Sequence, residues 1–201
     1  MNSYLSRLKN EGGLNSPARG IYELQGKHLF QPQLSSAITK IYGRISKGFP
    51  YIRFCIWDTS WLNEFMLHQP FKYFIVIEVE KDASASVFNF INEYSKNVFL
   101  NPDPEIFDRY INNADKVIIV KNLVSEAPLM EVGKITIPTF EKLLVDMLID
   151  FALFSSQQNE LDFIVKTVSK KYSLNKLKMK RYAIRRNRES KLEELMSISL
   201  A

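Results

Sequence analysis

The sequence lacks most of the features by which an enzyme, a metal site or a membrane protein is recognised. Its one cysteine, Cys55, cannot form an internal disulfide, and His28 and His68 have no ligand spacing around them, which argues against zinc. It has no Gly-rich phosphate loop, no G-x-S-x-G and no H-E-x-x-H. No apolar run reaches the roughly 18–20 residues that span a bilayer, and residues 1–13 contain no signal-peptide core. We therefore expect a cytoplasmic protein with no cofactor, no metal and no membrane contact.

Apolar side chains and an uneven charge are what the sequence does contain. Hydrophobic residues make up 46% of the chain and aromatic residues 12%, which is enough for a packed core. Residues 1–165 hold 16 Lys/Arg against 19 Asp/Glu, whereas residues 166–191 hold 11 Lys/Arg against one Glu. The basic stretch indicates a solvated surface or an anionic partner.

The segment KITIPTFEKLLVDMLIDF, residues 134–151, is predicted to form the centre of the fold. A short strand stops at Pro138, Thr139 takes the N-cap position, and a helix follows. Its apolar residues have helical spacing: Phe140, Leu143, Leu144, Met147, Leu148 and Phe151 on one face, with Val145 and Ile149 beside them. Only Glu141, Lys142, Asp146 and Asp150 are left for water, so we expect a helix buried on two sides.

The order of the remaining elements predicts an α/β (α+β) fold with a mixed sheet flanked by helices. Helices are expected at 31–47, 83–94, 159–171, 175–186 and 189–199, strands at 51–57, 71–80 and 116–121, and extended chain at 129–137. Residues 101–111 are expected to be a loop with one helical turn. We divide the chain into residues 1–26, a mixed α/β core at 27–155 and a basic helical C-terminal region at 156–201.

The N-terminal stretch has the pattern of the last part of a winged helix. A helix over residues 2–10, the pair Gly12–Gly13 and a hairpin turn at residues 16–20 follow one another within 24 residues. Residues 1–26 are therefore predicted to be a partial winged helix, consisting of one helix and the wing. An ordinary helix and hairpin packed on the main domain explains the same pattern.

Acidic side chains at the ends of two predicted strands are the one arrangement that could be catalytic. Asp58 ends one strand, and Glu78, Glu80 and Lys81 end the next. Carboxylates beside a lysine can bind Mg²⁺ and activate water for phosphodiester cleavage. The layout resembles the PD-(D/E)xK nuclease site, but Glu80 stands where that motif requires lysine. The fold could therefore be nuclease-like and inactive, an active nuclease is the alternative, and a charged sheet edge explains the same residues.

The basic run KLKMKRYAIRRNR, residues 176–188, can form one cationic helix face. Lys178, Arg181, Arg185 and Arg188 recur at helical spacing, so they can neutralise phosphates of a nucleic acid. A solvated face and a patch that meets an acidic protein are the other interpretations of these residues. Tyr182, in the middle of the run, is expected to pack in the core.

Three segments together resemble the AbiEi antitoxin family of type IV abortive-infection systems. Residues 3–24 are similar to the recognition helix and wing of its winged helix. Residues 135–150 are similar to its "v-t-x-x-E-(R/K)-T/L-L-x-D" segment, with matches at Thr139, Glu141, Lys142, Leu144 and Asp146. Residues 174–196 are similar to C-terminal helices of the form "l-x-r-Y-A-x-R-x". The resemblance covers most of the chain, and the order and spacing of the three segments carry it.

The resemblance implies a cytoplasmic, DNA-binding autorepressor whose C-terminal domain counteracts a nucleotidyltransferase-like toxin. DNA contacts would come from Asn2, Ser3, Ser6, Arg7, Lys9 and Arg19. Thr139, Glu141, Leu144 and Asp146 would have structural roles. Our leading hypothesis is a non-enzymatic antitoxin and regulator. The alternatives are a metal-dependent nuclease and a plain protein-interaction domain.

Overall fold

The computed structural model describes residues 14–18, 21–24 and 30–199. Strands β1 (Leu14–Ala18) and β2 (Ile21–Leu24) form an antiparallel hairpin in which Leu14 pairs with Leu24. The hairpin predicted for the wing is therefore present, although its first strand extends through Pro17. The helix predicted over residues 2–10 lies outside the described residues.

A four-stranded mixed sheet forms the centre of the molecule and confirms the predicted fold class. Its strands are β3 (Phe54–Asp58), β4 (Ile75–Val79), β5 (Val98–Leu100) and β6 (Ile118–Asn122), in the order β3-β4-β6-β5. Strand β3 runs antiparallel to β4, whereas β4, β6 and β5 are mutually parallel. Strand β4 is internal, and Val76, Ile77 and Val79 are buried on its two faces. This burial explains its continuous apolar sequence.

Helices connect the parallel strands and cover the sheet. Helix α1 (Ser36–Gly48) precedes β3, and the Ser35 hydroxyl caps it by accepting from the Ile38 N–H at 3.2 Å. A 3₁₀ helix (Thr59–Phe65) follows β3. Helix α2 (Ser84–Asn92) connects β4 to β5, and α3 (Pro104–Arg109) lies between β5 and β6.

The segment predicted as one extended stretch at residues 129–137 is a second antiparallel hairpin. It consists of β7 (Leu129–Val132) and β8 (Ile135–Pro138), which pair Val132 with Ile135. Gly133 opens the two-residue turn with φ of +63°, a conformation that costs other residues a steric clash of Cβ. The Tyr42 hydroxyl of α1 hydrogen-bonds the Thr136 hydroxyl at 3.0 Å, which fixes this hairpin against α1.

Helix α4 (Phe140–Met147) is the core helix, and it is buried on every side. All eight of its residues are buried, so the expectation that Glu141, Lys142 and Asp146 face water was wrong. The helix also ends earlier than predicted, and Phe151 is 52% exposed. Thr139 takes the predicted N-cap position, but its buried hydroxyl makes no capping hydrogen bond within the described residues.

Three C-terminal helices share the hydrophobic core with the sheet. They are α5 (Leu161–Lys171), α6 (Lys176–Arg185) and α7 (Glu189–Ser199), close to the predicted bounds. One cluster of buried apolar side chains runs from Phe30 to Leu195. Helix α6 packs on α4 and covers the side that the sequence pattern assigned to water. In the part of the chain that the structure describes, no helix is long and apolar enough to cross a membrane.

Candidate functional site

A buried ionic network lies where β4, α4 and α6 meet. The Lys142 ammonium is 2.6 Å from Glu78 Oε1 and 2.6 Å from Asp146 Oδ2, and the Lys142 side chain is fully buried. Glu78 comes from β4, and Lys142 and Asp146 are one turn apart on α4. One lysine thus neutralises carboxylates from the sheet and from its own helix.

Aromatic side chains complete the hydrogen bonding of the two carboxylates. The Trp57 indole N–H donates to Glu78 Oε1 at 2.9 Å, and the Tyr182 hydroxyl donates to Asp146 Oδ1 at 2.9 Å. Arg186 approaches the same Asp146 oxygen at 3.8 Å. Burying a charge costs free energy unless the charge is paired and hydrogen-bonded. These donors lower that cost for Glu78 and Asp146.

Burial, together with the charges of the network, sets the ionisation of the groups in this part of the core. Burial by itself lowers the pKa of Lys142, but the charges of Asp146 and Glu78 outweigh it, and the pKa lies well above 10.5. Burial, with the charge of Glu78, raises the pKa of the Cys55 thiol well above 9.0. Burial likewise raises the pKa of the Tyr182 phenol above 10.0. At neutral pH the core therefore holds a charged lysine beside a protonated thiol and a protonated phenol.

The residues of the nuclease hypothesis are not brought together. In the β3–β4 register Asp58 pairs with Ile75 and Glu78 pairs with Cys55, so the two acids lie about 10 Å apart along the sheet. Asp58 accepts the Ser60 N–H at 2.8 Å and thereby caps the 3₁₀ helix. Glu80 and Lys81 are exposed beyond the far end of β4. Among the described residues, no group of three or more His, Cys, Asp or Glu is placed to hold a metal ion.

The predicted cationic face exists on α6, but its members differ in their surroundings. Lys178, Arg181 and Arg185 are exposed. Arg185 is 2.6 Å from Glu126 and donates to the Ser125 hydroxyl at 2.8 Å. Arg188 lies beyond the helix end, half-buried, and donates to the Asn187 carbonyl. Arg7, Lys9 and Arg19, the other predicted nucleic-acid ligands, lie outside the described residues, as do Asn2, Ser3 and Ser6.

Three of these cations line a groove of about 520 Å³ between α6 and the connection from β6 to β7, which we call the cationic groove. Its lining includes Arg53, Lys178, Arg181 and Arg185, with Glu126 as its acidic residue. Arg53 donates to the Ala127 carbonyl at 3.4 Å. Within the described chain, neither the Lys178 ammonium nor the Arg181 guanidinium has an ion pair or a side-chain hydrogen bond. The groove therefore holds uncompensated positive charge.

The five residues of segment 135–150 on which the expected resemblance to AbiEi rests are all buried. Glu141 accepts the backbone N–H of Asn175 at 2.8 Å, just before α6 begins, and Asp146 accepts from Tyr182 within α6. Thr139 and Leu144 are buried beside them. Sequence reasoning placed Tyr182 in the core but missed its hydrogen bond and the role of Lys142. The sequence held no local signal for it, because Lys142 and Asp146 have the i, i+4 spacing of an ordinary exposed ion pair on a helix.

Residues 1–201, the whole chain, match a protein family described as a family of unknown function, DUF6577, and the chain belongs to that family. No curated protein matches the chain.

Proposed function

We propose that this DUF6577 protein is a non-enzymatic antitoxin and transcriptional regulator of the AbiEi type. It counteracts a nucleotidyltransferase-like toxin, and its N-terminal residues contact operator DNA. The proposal begins from the resemblance of three segments of the chain to that family. What the structure adds is a physical reason for two of these segments to occur together.

The contact between the second and third segments is the observation that carries the proposal. Asp146 accepts a hydrogen bond from Tyr182, and Glu141 accepts one from the Asn175 backbone. The acidic residues of the second segment thus bind α6 of the third segment, and one of their partners is Tyr182, the tyrosine of the "Y-A-x-R" pattern. Two degenerate motifs that meet through their own motif residues support the resemblance more strongly than either motif does alone.

The alternative of a metal-dependent nuclease has less geometric support. Asp58 ends β3 beside the first residue of β4, whereas Glu78 lies near the other end of β4. Glu78 is also already bound by Lys142 and Trp57. A Mg²⁺-dependent cleavage assay decides between the hypotheses, and Glu80→Gln is the informative variant because Glu80 is exposed. Cleavage by the wild type that Glu80→Gln abolishes would favour the nuclease. Loss of activity in a Glu78 variant would be ambiguous because Glu78 belongs to the buried network.

Co-expression with the adjacent gene tests the antitoxin role directly. We expect the neighbouring gene alone to stop growth, and this chain to restore it. Deleting the basic C-terminal helices is not a suitable control, because Met179, Tyr182 and Leu192 belong to the hydrophobic core. The variant Lys142→Met disrupts the core and should no longer restore growth. The variant Lys166→Met changes an exposed residue of α5 and should still restore growth. A neighbour that is not toxic, or is toxic without rescue, would contradict the proposal.

Operator binding is tested by gel shift with the DNA upstream of the chain's own gene. We expect Arg7, Lys9 and Arg19 to contact phosphates, so each substitution by glutamine should reduce the slope of log affinity against log salt by about 0.9. Lys166→Gln is the matched control. An unchanged slope in a variant that carries all three substitutions would show that these residues do not contact DNA.

A further inference from the structure

The cationic groove is a place on the described surface where positive charge converges without compensation. Arg53, Lys178, Arg181 and Arg185 line it, and Glu126 offsets one of the four charges through its ion pair with Arg185. The two cations without partners, Lys178 and Arg181, are exposed. Uncompensated cations held close together repel one another, and an anion that binds between them relieves this repulsion.

The shape of the groove favours a small anion over a nucleic-acid duplex. Arg53 reaches it from the segment before β3 and is held by the Ala127 carbonyl, whereas Lys178 and Arg181 come from α6. Cations from different segments therefore line a concave site, which can surround a phosphate group. Its volume of about 520 Å³ lies in the range of roughly 300–1,000 Å³ usual for small-molecule sites. A duplex carries its phosphates on a convex surface and would contact mainly the rim.

The remaining lining indicates what the phosphate is attached to. Leu129 and Leu177 provide apolar surface, and Leu177 is 72% exposed, whereas Pro128 is buried. Glu126 adds a carboxylate that can accept hydrogen bonds from hydroxyl or amino groups. A ligand that combines a phosphate, a ring system whose face makes apolar contacts, and hydrogen-bond donors matches this lining.

We propose that the cationic groove binds a nucleotide. Lys178, Arg181 and Arg53 hold its phosphates, and Leu129 and Leu177 contact its base. This site rests on the groove alone and does not depend on the antitoxin role.

The experiment is calorimetric titration of the full chain with ADP, inorganic phosphate and a short DNA duplex. The test variant is Lys178→Gln/Arg181→Gln, and the matched control is Lys166→Gln/Lys170→Gln, which removes the same charge from exposed positions on α5. All four residues are exposed, so urea unfolding should be unchanged in both variants. We expect saturable binding of ADP at one site, weakened at least tenfold in the test variant and retained in the control.

A third variant, Leu177→Ser, examines the apolar wall. It should weaken ADP several-fold and leave the weaker binding of inorganic phosphate unchanged, because phosphate alone does not reach the wall. Absence of saturable ADP binding would overturn the proposal, and so would equal weakening in test and control variants. Phosphate binding as tight as ADP binding would reduce the site to an anion site and overturn the nucleotide assignment. Duplex binding tighter than ADP binding, with a steep salt dependence, would overturn it in favour of a nucleic-acid surface.

Discussion

Substitution of Lys142 by methionine should remove a large part of the free energy of unfolding. The ammonium of Lys142 lies 2.6 Å from a carboxylate oxygen of Glu78 and 2.6 Å from one of Asp146. Methionine fills most of the same space but leaves both carboxylates in the core without their cation. Removing one partner of a buried ion pair typically costs about 3–5 kcal/mol. Because Trp57 and Tyr182 still donate to the carboxylates, we expect a loss of about 4 kcal/mol, within that range.

The assay is urea unfolding at neutral pH, followed by circular dichroism. Lys166→Met is the control, since Lys166 is exposed on α5 and its substitution changes the net charge equally. The control should stay within about 0.5 kcal/mol of the wild type. A loss below about 1 kcal/mol in Lys142→Met, the value of an exposed ion pair, would refute the account of the network.

The pH dependence provides a second check. The pKa of Lys142 is raised by folding, so its contribution to stability is complete below about pH 10.5 and is lost as pH rises through the folded value. The contribution of Lys142 to the free energy of unfolding of the wild type should therefore not change as pH falls below neutral. Because this contribution is lost only in alkali, the difference in free energy of unfolding between the wild type and Lys142→Met should shrink as pH rises above about 10.5. A difference that stays constant as pH rises through that range would contradict this reasoning.

Three further predictions concern single side chains. Tyr182→Phe removes the hydrogen bond to Asp146 and should cost about 1.5–3 kcal/mol in urea unfolding; an unchanged midpoint would show that water replaces the hydroxyl. Cys55 is buried and its thiol pKa is raised, so a thiol reagent at about pH 8 should modify it only after unfolding, as mass spectrometry would detect; rapid native modification would contradict its burial. Gly133→Ala places a side chain at φ of +63° and should cost about 1–2 kcal/mol, although its Cβ meets open space; a neutral result would mean that the turn changes conformation.

The sequence pattern predicted the elements whose periodicity is strong. The mixed sheet, the internal apolar strand β4 and the C-terminal helices follow from apolar spacing and were confirmed. Strand β5 was missed because it has three residues, too few for any periodic signal. Residues 129–137 were expected to be one extended stretch, whereas they form a hairpin that reverses direction after Val132. The glycine at position 133, which opens the turn, was the overlooked signal.

The buried network could not be predicted from local sequence. Lys142 and Asp146, four residues apart, have the spacing of an ordinary exposed ion pair on a helix. Their burial depends on distant partners. Glu78, which binds Lys142, lies 64 residues before it, and Tyr182 of α6, which binds Asp146, lies 36 residues after it. Such long-range partners leave no trace in a helical pattern. The cationic groove was predicted only on its α6 side, because the approach of Arg53 depends on the same tertiary packing.

The hydrogen bond between Tyr182 and Asp146 has a consequence for synthesis on the ribosome. Translation completes β4 and α4 before α6 is made, so Lys142 can meet both carboxylates while Asp146 still lacks its phenol donor. The nascent chain then exposes the side of α4 that carries Glu141 and Asp146, and its core still lacks the buried Met179 and Tyr182 of α6. An incompletely covered core of this kind attracts chaperones and promotes aggregation. Final closure of the core must wait for the arrival of α6. A pause in translation between the codons for α4 and α6 would therefore lengthen the life of an aggregation-prone intermediate.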